Sequence, residues 1–310
     1  MKLLSMKIDG YDRAGIIIGE EALDVTAFLK LSSENRESSG HEIGGQFSDA
    51  LDLYRAGTAR LYEITSRFDG DQTFIDECRR AGAIRSLSEI LLNPPILAPG
   101  KILAVGLNYA AHAAEQNKKP PETPLVFSKC VTALLAPFDS IRLPRVSDQI
   151  DYEAELAVVI GKPARSVSAA AAFDYVAGYM IMNDVTARDL QRNEKQWTRA
   201  KGLDTFAPCG PWLVTTDEID DPHSLDIQLR VNGEVRQSSN TNDLIFKIPH
   251  LIEFISQDLT LMPGDIISTG TPSGVGVYST PPLFLKDGDQ IEIDIARIGT
   301  LRNSVKGVQN

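Results

Sequence analysis

The segment DYEAELAVVIG, residues 151–161, sets three acidic residues directly before an unbroken apolar run. Such a run predicts a strand that enters a hydrophobic core. Because side chains alternate between the two faces of a strand, Asp151, Glu153 and Glu155 are expected on one face. Like charges at the edge of a core are unfavourable unless a positive charge lies among them. The segment therefore predicts either a cation site or an edge strand whose acidic face meets water.

A second acidic position follows a second strand of the buried type. The segment GYMIMND, residues 178–184, ends in Asp184, and the residues after it predict the start of a helix. Asp184 is either a cap of that helix or a third oxygen ligand beside Glu153 and Glu155. Three carboxylates with no cysteine or histidine nearby favour Mg²⁺ or Mn²⁺ over Zn²⁺. About three positions of an octahedron would then stay open for water and substrate oxygens.

The rest of residues 98–310 is rich in short β-branched runs separated by Gly, Pro and Asp. Asn232-Gly233 lies between two of these runs and predicts a hairpin. Mostly antiparallel strands with few helices predict an α+β fold built on a rolled sheet or barrel. The few predicted helices lie near residues 109–117, 168–174, 185–196 and 247–257.

Residues 1–97 predict a small, separate N-terminal α+β domain. Asp9-Gly10 predicts a turn between two strands. The density of prolines at residues 94–99 marks an extended linker, which places the domain boundary near residue 97. The predicted elements are strands over residues 2–8 and 13–19, a loop over residues 31–47, and helices over residues 48–67 and 72–92.

Composition narrows the functional classes. The 310 residues carry a net charge of −11, which argues against a nucleic-acid partner because binding phosphates requires clustered Lys and Arg. The three cysteines are far apart and fit a reducing compartment. No stretch approaches the about 20 apolar residues of a membrane helix. We therefore expect a cytoplasmic protein with a small-molecule substrate and no membrane partner.

Other segments offer polar groups for catalysis or binding. His112 and Glu115 are neighbours on one face if residues 109–117 form a helix, so Glu115 could raise the basicity of the imidazole, or the pair could be an incidental surface contact. Lys201 lies among apolar residues, where it is either a carboxylate-binding group or an ordinary surface lysine. The glycines of residues 269–276 would let backbone N–H groups approach an anion.

Taken together, these segments resemble the fumarylacetoacetate hydrolase superfamily, in particular its longer bacterial members with an N-terminal domain. The resemblance covers about residues 100–276, with strand-like segments continuing to about residue 305. It rests on seven motifs in the same order: GLNYAAHAAE, PLVFSK, DYEAELAVVIGK, GYMIMNDVTARDLQ, AKGLDTFAPCGP, RVNGEVRQ and GDIISTGTPSGVG. At Leu107 the chain departs from the many relatives that carry Arg or Lys, which argues against a distal substrate carboxylate held at that point.

The resemblance implies a mixed β-roll or β-barrel catalytic domain over residues 98–310, usually in a homodimer. It implies Mg²⁺ or Mn²⁺ on Glu153, Glu155 and Asp184. It further implies catalytic roles for His112, Glu115 and Lys201, with the His–Glu pair on a lid that closes over the substrate. It assigns substrate contacts to Lys129, Arg188, Gln191 and Thr271.

The chemistry expected from these groups is that of a metal-chelated 2-oxo acid. Our first expectation is a hydrolase that cleaves a C–C bond of a 2,4-dioxo acid of the acylpyruvate type, using water activated by His112 and Glu115. The same site would also suit an oxaloacetate decarboxylase or an isomerase of 2-hydroxydiene-dioates. A non-catalytic metal-binding or interaction protein is the further alternative, since fold alone does not fix function.

Overall fold

The computed structural model describes residues 1–34, 47–68 and 71–307. Most of the loop predicted over residues 31–47 lies outside the described residues, and residues 31–34 belong to a helix that the sequence did not predict. The described helices are α1 (Val25–Glu34), α2 (Ala50–Ala56), α3 (Thr58–Ser66), α4 (Gln72–Arg80), α5 (Ala110–Glu115), α6 (Arg188–Asn193), α7 (Thr198–Lys201) and α8 (Ile248–Ser256). Short 3₁₀ helices cover Leu87–Glu89, Val131–Ala133, Ala169–Tyr175, Thr216–Glu218, Thr241–Asp243 and Gly276–Tyr278.

Most of the architecture is β-structure. The described strands are β1 (Lys2–Ile8), β2 (Tyr11–Ile18), β3 (Glu21–Asp24), β4 (Ile84–Ser86), β5 (Leu91–Leu92), β6 (Ile102–Gly106), β7 (Leu125–Lys129), β8 (Leu134–Leu135), β9 (Ser140–Arg142), β10 (Ile150–Asp151), β11 (Ala154–Ile160), β12 (Val176–Asn183), β13 (Thr186–Ala187), β14 (Ala207–Thr215), β15 (Asp226–Val231), β16 (Glu234–Asn240), β17 (Ile266–Ser268), β18 (Gln290–Ile295) and β19 (Gly299–Lys306). With the helices, they confirm the predicted α+β fold.

A large mixed sheet contains β11, the strand that follows the acidic residues Asp151 and Glu153. Its order is β4-β3-β2-β1-β14-β12-β11-β17-β6-β7, with β5 added beside β1 and β8 beside β14. Strand β11 lies between β12 and β17 and is buried along its whole length, as is β12. Strands buried on both faces read as continuous apolar runs, which explains the sequences of both. The start of β11 and the end of β12 therefore meet deep inside the sheet.

The acidic segment departs from its predicted regular alternation. Strand β10 pairs with β13 in a separate two-stranded sheet, whereas β11 pairs with β12 and β17. Between them, Tyr152 and Glu153 belong to neither strand. The three acids therefore do not share one regular strand, and the single strand face predicted for them is wrong. Asp151 and Glu153 nevertheless both contact Arg188.

A second sheet has the order β16-β15-β18-β19-β9. The predicted hairpin joins β15 to β16, and both turn residues have positive φ, 53° at Asn232 and 79° at Gly233. This is the backbone geometry of the turn type that Asn-Gly favours. The other predicted hairpin, at Asp9-Gly10, has the same signature, with φ values of 51° and 83°.

The N-terminal segment joins the large sheet directly, because β1 pairs antiparallel with β14. The helix predicted over residues 48–67 is two helices, separated at Gly57 where φ is 98°. The helix predicted over residues 72–92 ends at Arg80, and after Gly82, where φ is 71°, the chain forms β4 against β3. The boundary near residue 97 stays a prediction. None of the described helices has both the length and the apolar character needed to cross a membrane.

Candidate active site

Three carboxylates converge where β11 starts and β12 ends. Glu155 is the second residue of β11 and pairs with Met182, while Glu153 precedes that strand and Asp184 follows β12. The backbone N–H of Asp184 donates to the carbonyl of Glu153 at 2.9 Å. One oxygen from each carboxylate lies within 4.8 Å of the others, and all three side chains are buried. The geometry brings together the three residues predicted to hold a metal.

Lys201 lies between two of these carboxylates. Its Nζ donates to Glu153 Oε2 at 2.7 Å, to Asp184 Oδ2 at 2.6 Å and to the hydroxyl of Thr186 at 2.9 Å. The residue is only 2% exposed, so the alternative of an ordinary surface lysine is wrong. Burial lowers the pKa of Lys201, but Asp184 and Glu153 raise it above its ordinary value and hold the ammonium charged.

Lys129 lies behind Asp184 rather than on a cavity wall. Its Nζ donates to Asp184 Oδ1, to the carbonyl of Lys201 and to the carbonyl of Val185. An ammonium has three donors, and these contacts use all of them. The geometry therefore favours a role for Lys129 in supporting Asp184 over the predicted direct contact with substrate.

Arg188 links the acidic cluster to Asp151. Its Nε donates to Asp151 Oδ2 at 2.8 Å and its Nη1 donates to Gln191 Oε1 at 3.0 Å. Arg188 Nη2 lies 2.7 Å from Glu153 Oε1, so Arg188 forms an ion pair with Glu153 as well as with Asp151. Because Arg188 donates to the carbonyl oxygen of Gln191, the amide nitrogen of Gln191 keeps its donors for another ligand.

The buried charges shift the ionisation of the carboxylates in opposite directions. Burial raises the pKa of Glu153, but the neighbouring Lys201 and Arg188 lower it to about 2. Burial raises the pKa of Glu155 well above its ordinary value, and the charges of Asp184 and Glu153 raise it further. Without a cation, burial and these two charges thus disfavour the ionised form of Glu155. A divalent ion among the three side chains would relieve this repulsion, and their hard oxygen donors suit Mg²⁺ or Mn²⁺.

The glycine-rich segment of residues 269–276 donates backbone N–H groups to the protein's own carboxylates. The pairs are Gly270 N to Glu155 Oε2 at 2.9 Å, Gly274 N to Glu115 Oε1 at 2.9 Å, and Gly276 N to Asp151 Oδ1 at 2.8 Å. Gly274 has a φ of 99°, and a Cβ there would lie 2.1 Å from a backbone oxygen. The backbone N–H groups of this segment thus contact the protein's own carboxylates, of which Glu155 and Asp151 are buried and Glu115 is half-buried.

His112 is held in a chain of polar contacts at the start of α5. Its Nδ1 lies 3.0 Å from Glu115 Oε2, and its Nε2 lies 2.8 Å from Gln116 Nε2. The ammonium of Lys118, which can only donate, contacts Gln116 Oε1 at 2.9 Å, so the amide nitrogen of Gln116 must face His112. Nε2 therefore accepts, and Nδ1 carries the proton and donates to Glu115. This is the tautomer of a base oriented by a carboxylate.

These groups surround one cavity of about 230 Å³. Thr271 lines it, and because Gln237 donates to the Thr271 hydroxyl oxygen at 2.8 Å, the hydroxyl proton is free for another acceptor. Of the predicted site residues, only Lys129 and Glu115 do not line the cavity. The cavity is lined by Val105, Gly106, Leu107, His112, Gln116, Lys118, Phe127, Glu153, Glu155, Asp184, Arg188, Gln191, Arg192, Trp197, Lys201, Thr271 and Tyr278.

Two site features were missed from the sequence. Asp151 was grouped with the cluster, yet it is a buried acceptor for Arg188 and for the backbone N–H groups of Gly276 and Val277. Gln116 was not identified, although it contacts the histidine directly. Its position four residues after His112, on the same helical face, is the signal that could have found it.

The chain is similar to a known protein family and to named relatives. Residues 101–306 match the family described as "Fumarylacetoacetate (FAA) hydrolase C-terminal". The chain is 48% identical over 268 residues, 85% of each protein, to "Oxaloacetate tautomerase Fahd2a, mitochondrial" of Rattus norvegicus.

Solved structures agree over the whole chain. The fumarylacetoacetate hydrolase from the psychrophile Exiguobacterium antarcticum has a TM-score of 0.79 and 34% identity, covering 99% of this chain and 100% of that one. The maleylpyruvate hydrolase from Sphingobium sp. SYK-6, solved with manganese(II) and pyruvate, has a TM-score of 0.73 and 33% identity, covering 100% of both chains.

Proposed function

Because this chain belongs to the fumarylacetoacetate hydrolase family, a family of enzymes, we propose that it is a divalent-metal-dependent tautomerase that interconverts the keto and enol forms of oxaloacetate. The observation that carries the proposal is the placement of a carboxylate-oriented histidine on the same cavity as three converging buried carboxylates. The 48% identity to a rat oxaloacetate tautomerase over 85% of the chain supports the choice of substrate. The homodimer and the cytoplasmic location remain predictions.

The metal site supplies the electrostatic part of this chemistry. A divalent ion held by Glu153, Glu155 and Asp184 would act as a Lewis acid toward the carboxylate and keto oxygens of a 2-oxo acid. The Lys201 ammonium, hydrogen-bonded to two of these carboxylates, limits the negative charge of the site. Tautomerisation develops charge on the keto oxygen, which such a preorganised site stabilises.

The proton transfer falls to His112. In the keto-to-enol direction, Nε2 takes a proton from C3 of oxaloacetate, the electrons of that C–H bond form the C2–C3 double bond, and the keto oxygen takes a proton from water. Glu115 accepts the Nδ1–H at 3.0 Å and stabilises the imidazolium that forms. His112 then returns its proton to solvent, so atoms and charge balance. The reverse direction delivers a proton from Nε2 to C3.

Two neighbouring groups would orient the substrate. The amide nitrogen of Gln191 and the hydroxyl of Thr271 each have an N–H or O–H for which the described residues supply no acceptor. Both residues line the cavity, where such donors suit a carboxylate or keto oxygen. We assign them to the 2-oxo acid head, which is the part shared by all the candidate substrates.

A second candidate function is hydrolytic C–C cleavage of an acylpyruvate. The amide nitrogen of Gln116 donates to His112 Nε2, which is the direction in which a water molecule would donate before attacking a carbonyl. The similarity to a maleylpyruvate hydrolase over the full chain supports keeping this reaction in the test. Water would add to the distal carbonyl, the bond between C3 and that carbonyl would break, and pyruvate and an acid would leave.

The test is a metal-dependent tautomerase assay. Protein freed of metal with EDTA is mixed with enol oxaloacetate, and the decay of enol absorbance is followed before and after adding Mg²⁺ or Mn²⁺. Parallel reactions with oxaloacetate and acetylpyruvate measure release of CO₂ and of pyruvate. We expect restored tautomerisation with metal and its loss in His112→Ala.

The control is His250→Ala, because His250 lies outside the cavity and should leave the rate unchanged. Thermal unfolding in the presence of metal confirms that both variants are folded. No metal-dependent acceleration by the wild-type protein would refute the tautomerase proposal. Pyruvate release from acetylpyruvate would then establish the hydrolase instead, and CO₂ release would establish a decarboxylase.

A further inference from the structure

The cavity wall carries a local positive excess in an acidic protein. Four cationic side chains line it against three carboxylates, although the whole chain has a net charge of −11. A divalent ion at the carboxylates would increase the excess. A site of this sign favours an anionic ligand with more than one negative charge. Two of the four cations, Arg188 and Lys201, are already paired with buried acids.

The other two cations, Lys118 and Arg192, are exposed at the rim of the cavity. Lys118 donates to Gln116 Oε1 at 2.9 Å, and Arg192 donates to Gln149 Oε1. Neither has a carboxylate partner within the ranges that the structure describes. Both therefore hold a full charge against neutral amides, and an incoming carboxylate would be a stronger partner than either amide.

Lys118 is also connected to the catalytic histidine. The amide of Gln116 bridges the two, with 2.8 Å from Gln116 Nε2 to His112 Nε2 and 2.9 Å from Lys118 Nζ to Gln116 Oε1. In oxaloacetate, C3 carries the exchanging proton and the second carboxylate is bonded to C3. A substrate that presents C3 to His112 must displace the Gln116 amide, which releases Lys118 beside that carboxylate.

We propose that Lys118 and Arg192 bind the distal carboxylate of a dicarboxylic 2-oxo acid and make the enzyme selective for dicarboxylates. This inference rests on the proposed function and names the substrate class of that site. Leu107 lines the same cavity and offers no charge, so the rim supplies the cations that this position lacks. An acylpyruvate, which has a neutral ketone at the corresponding place, gains nothing from them.

The test compares oxaloacetate with its 4-methyl ester, which keeps the chelating head and removes only the distal charge. We expect Lys118→Gln and Arg192→Gln each to raise KM for oxaloacetate about tenfold, the scale of one charge-assisted hydrogen bond, and to leave KM for the ester nearly unchanged. Because the contact is made in the ground state as well as the transition state, kcat should change little. In the double variant the two substrates should have equal KM values.

The matched control is Lys119→Gln, which removes a neighbouring exposed lysine that does not line the cavity. It should leave both KM values as they are. Equal losses on both substrates, or a fall in kcat alone, would overturn the proposal and assign Lys118 to positioning His112 through Gln116. Calorimetry that measures the binding of oxaloacetate and of its 4-methyl ester in the presence of Mg²⁺ tests the proposal even if the wild-type protein shows no turnover. Unequal binding that the variants abolish supports the inference, and equal binding refutes it.

Discussion

Replacing Glu155 by glutamine separates the electrostatics of the metal site from its packing. Glu155 is 2% exposed, and its Oε2 accepts from Ser268 Oγ at 2.6 Å and from Gly270 N at 2.9 Å. The carbonyl oxygen of a glutamine can keep both hydrogen bonds, so Glu155→Gln removes a charge and almost no volume. The variant should fold and lose affinity for the divalent ion.

The expected size follows from binding linkage. A ligand at one hundred times its Kd stabilises the native state by about 2.7 kcal/mol. For a chain of 150–250 residues, 1 kcal/mol moves Tm by about 2–4 °C, and the shift per kcal/mol falls as the chain lengthens. The wild type should therefore show a rise of about 4–5 °C. With one of three anionic ligands removed, Glu155→Gln should show almost none of this rise.

Without a bound metal ion, we expect Glu155→Gln to change the stability of the protein in the opposite direction. Burial, together with Asp184 and Glu153, raises the pKa of Glu155. A carboxyl group with a raised folded-state pKa binds more protons in the folded than in the unfolded state, so its stabilising contribution is present at acid pH and is lost as pH rises. In EDTA at neutral pH, Glu155→Gln should therefore be at least as stable as the wild type.

Asp151→Asn is the matched control, since it makes the same chemical change four residues earlier in the same segment. Asp151 is 0% exposed but accepts from Arg188 Nε at 2.8 Å and from three backbone N–H groups. Removing one partner of a buried ion pair costs about 3–5 kcal/mol, and we expect the lower end because Arg188 keeps Glu153 nearby. This variant should lose stability and keep the metal-induced rise in Tm.

The assay is thermal unfolding of EDTA-treated protein titrated with Mg²⁺ or Mn²⁺, with circular dichroism to confirm folding. A full metal-induced rise in Glu155→Gln would refute the assignment of Glu155 as a ligand. Loss of that rise in a folded Asp151→Asn protein would refute the separation of Asp151 from the metal site.

Four further substitutions test other parts of the structure. Asn108→Ala removes a fully buried amide that donates to two carbonyls and accepts a hydrogen bond from one backbone N–H. The free energy of unfolding, measured in urea, should fall by about 3 kcal/mol or more. A loss below about 1 kcal/mol would contradict these contacts. Gly274→Ala would push a Cβ to 2.1 Å from a backbone oxygen and displace the N–H that holds Glu115, so both Tm and kcat should fall. Gly10→Ala, at a φ of 83° with no atom near the new Cβ, should cost only about 1 kcal/mol and no activity. Burial, followed by the charge of Lys247, lowers the pKa of His223. The unfolded chain therefore binds the proton at a higher pH than the folded protein, and the free energy of unfolding should fall as pH drops below about 6.5. In unfolding curves measured over a series of pH values, His223→Gln should reduce this dependence on pH, and an unchanged dependence would contradict the assignment.

The sequence predicted that Glu153, Glu155 and Asp184 would lie together because the signal for this cluster is local. Glu153 and Glu155 are two residues apart in the sequence at the start of β11, and Asp184 directly follows β12, which pairs with β11. The predicted regular strand over residues 151–155 was wrong because it is interrupted at Tyr152 and Glu153, and two of the groups that hydrogen-bond to Asp151, on Arg188 and Gly276, lie far along the chain. No window of sequence around residue 151 contains that information.

The remaining discrepancies also come from distant partners. The pairing of β1 with β14 joins Lys2 to Val214, a contact that neither strand's pattern could specify. The predicted helix over residues 72–92 has an amphipathic start, but its second half forms β4 because β3 offers an edge to pair with. Tertiary pairing here overrides local periodicity. The position of Lys129 behind Asp184 likewise depends on the crossing of elements distant in the sequence.

The three carboxylates of the site differ in the groups that donate hydrogen bonds to them. A lysine that pairs with a carboxylate neutralises it and competes with a metal ion, whereas a backbone N–H stabilises the charge without cancelling it. Glu153 and Asp184 both accept from Lys201, but Glu155 accepts from a hydroxyl and from Gly270 N. Of the three predicted ligands, Glu155 is thus the one that accepts no hydrogen bond from a lysine among the described residues. The glycine at residue 270, with a φ of 105°, is what lets the backbone approach it closely enough.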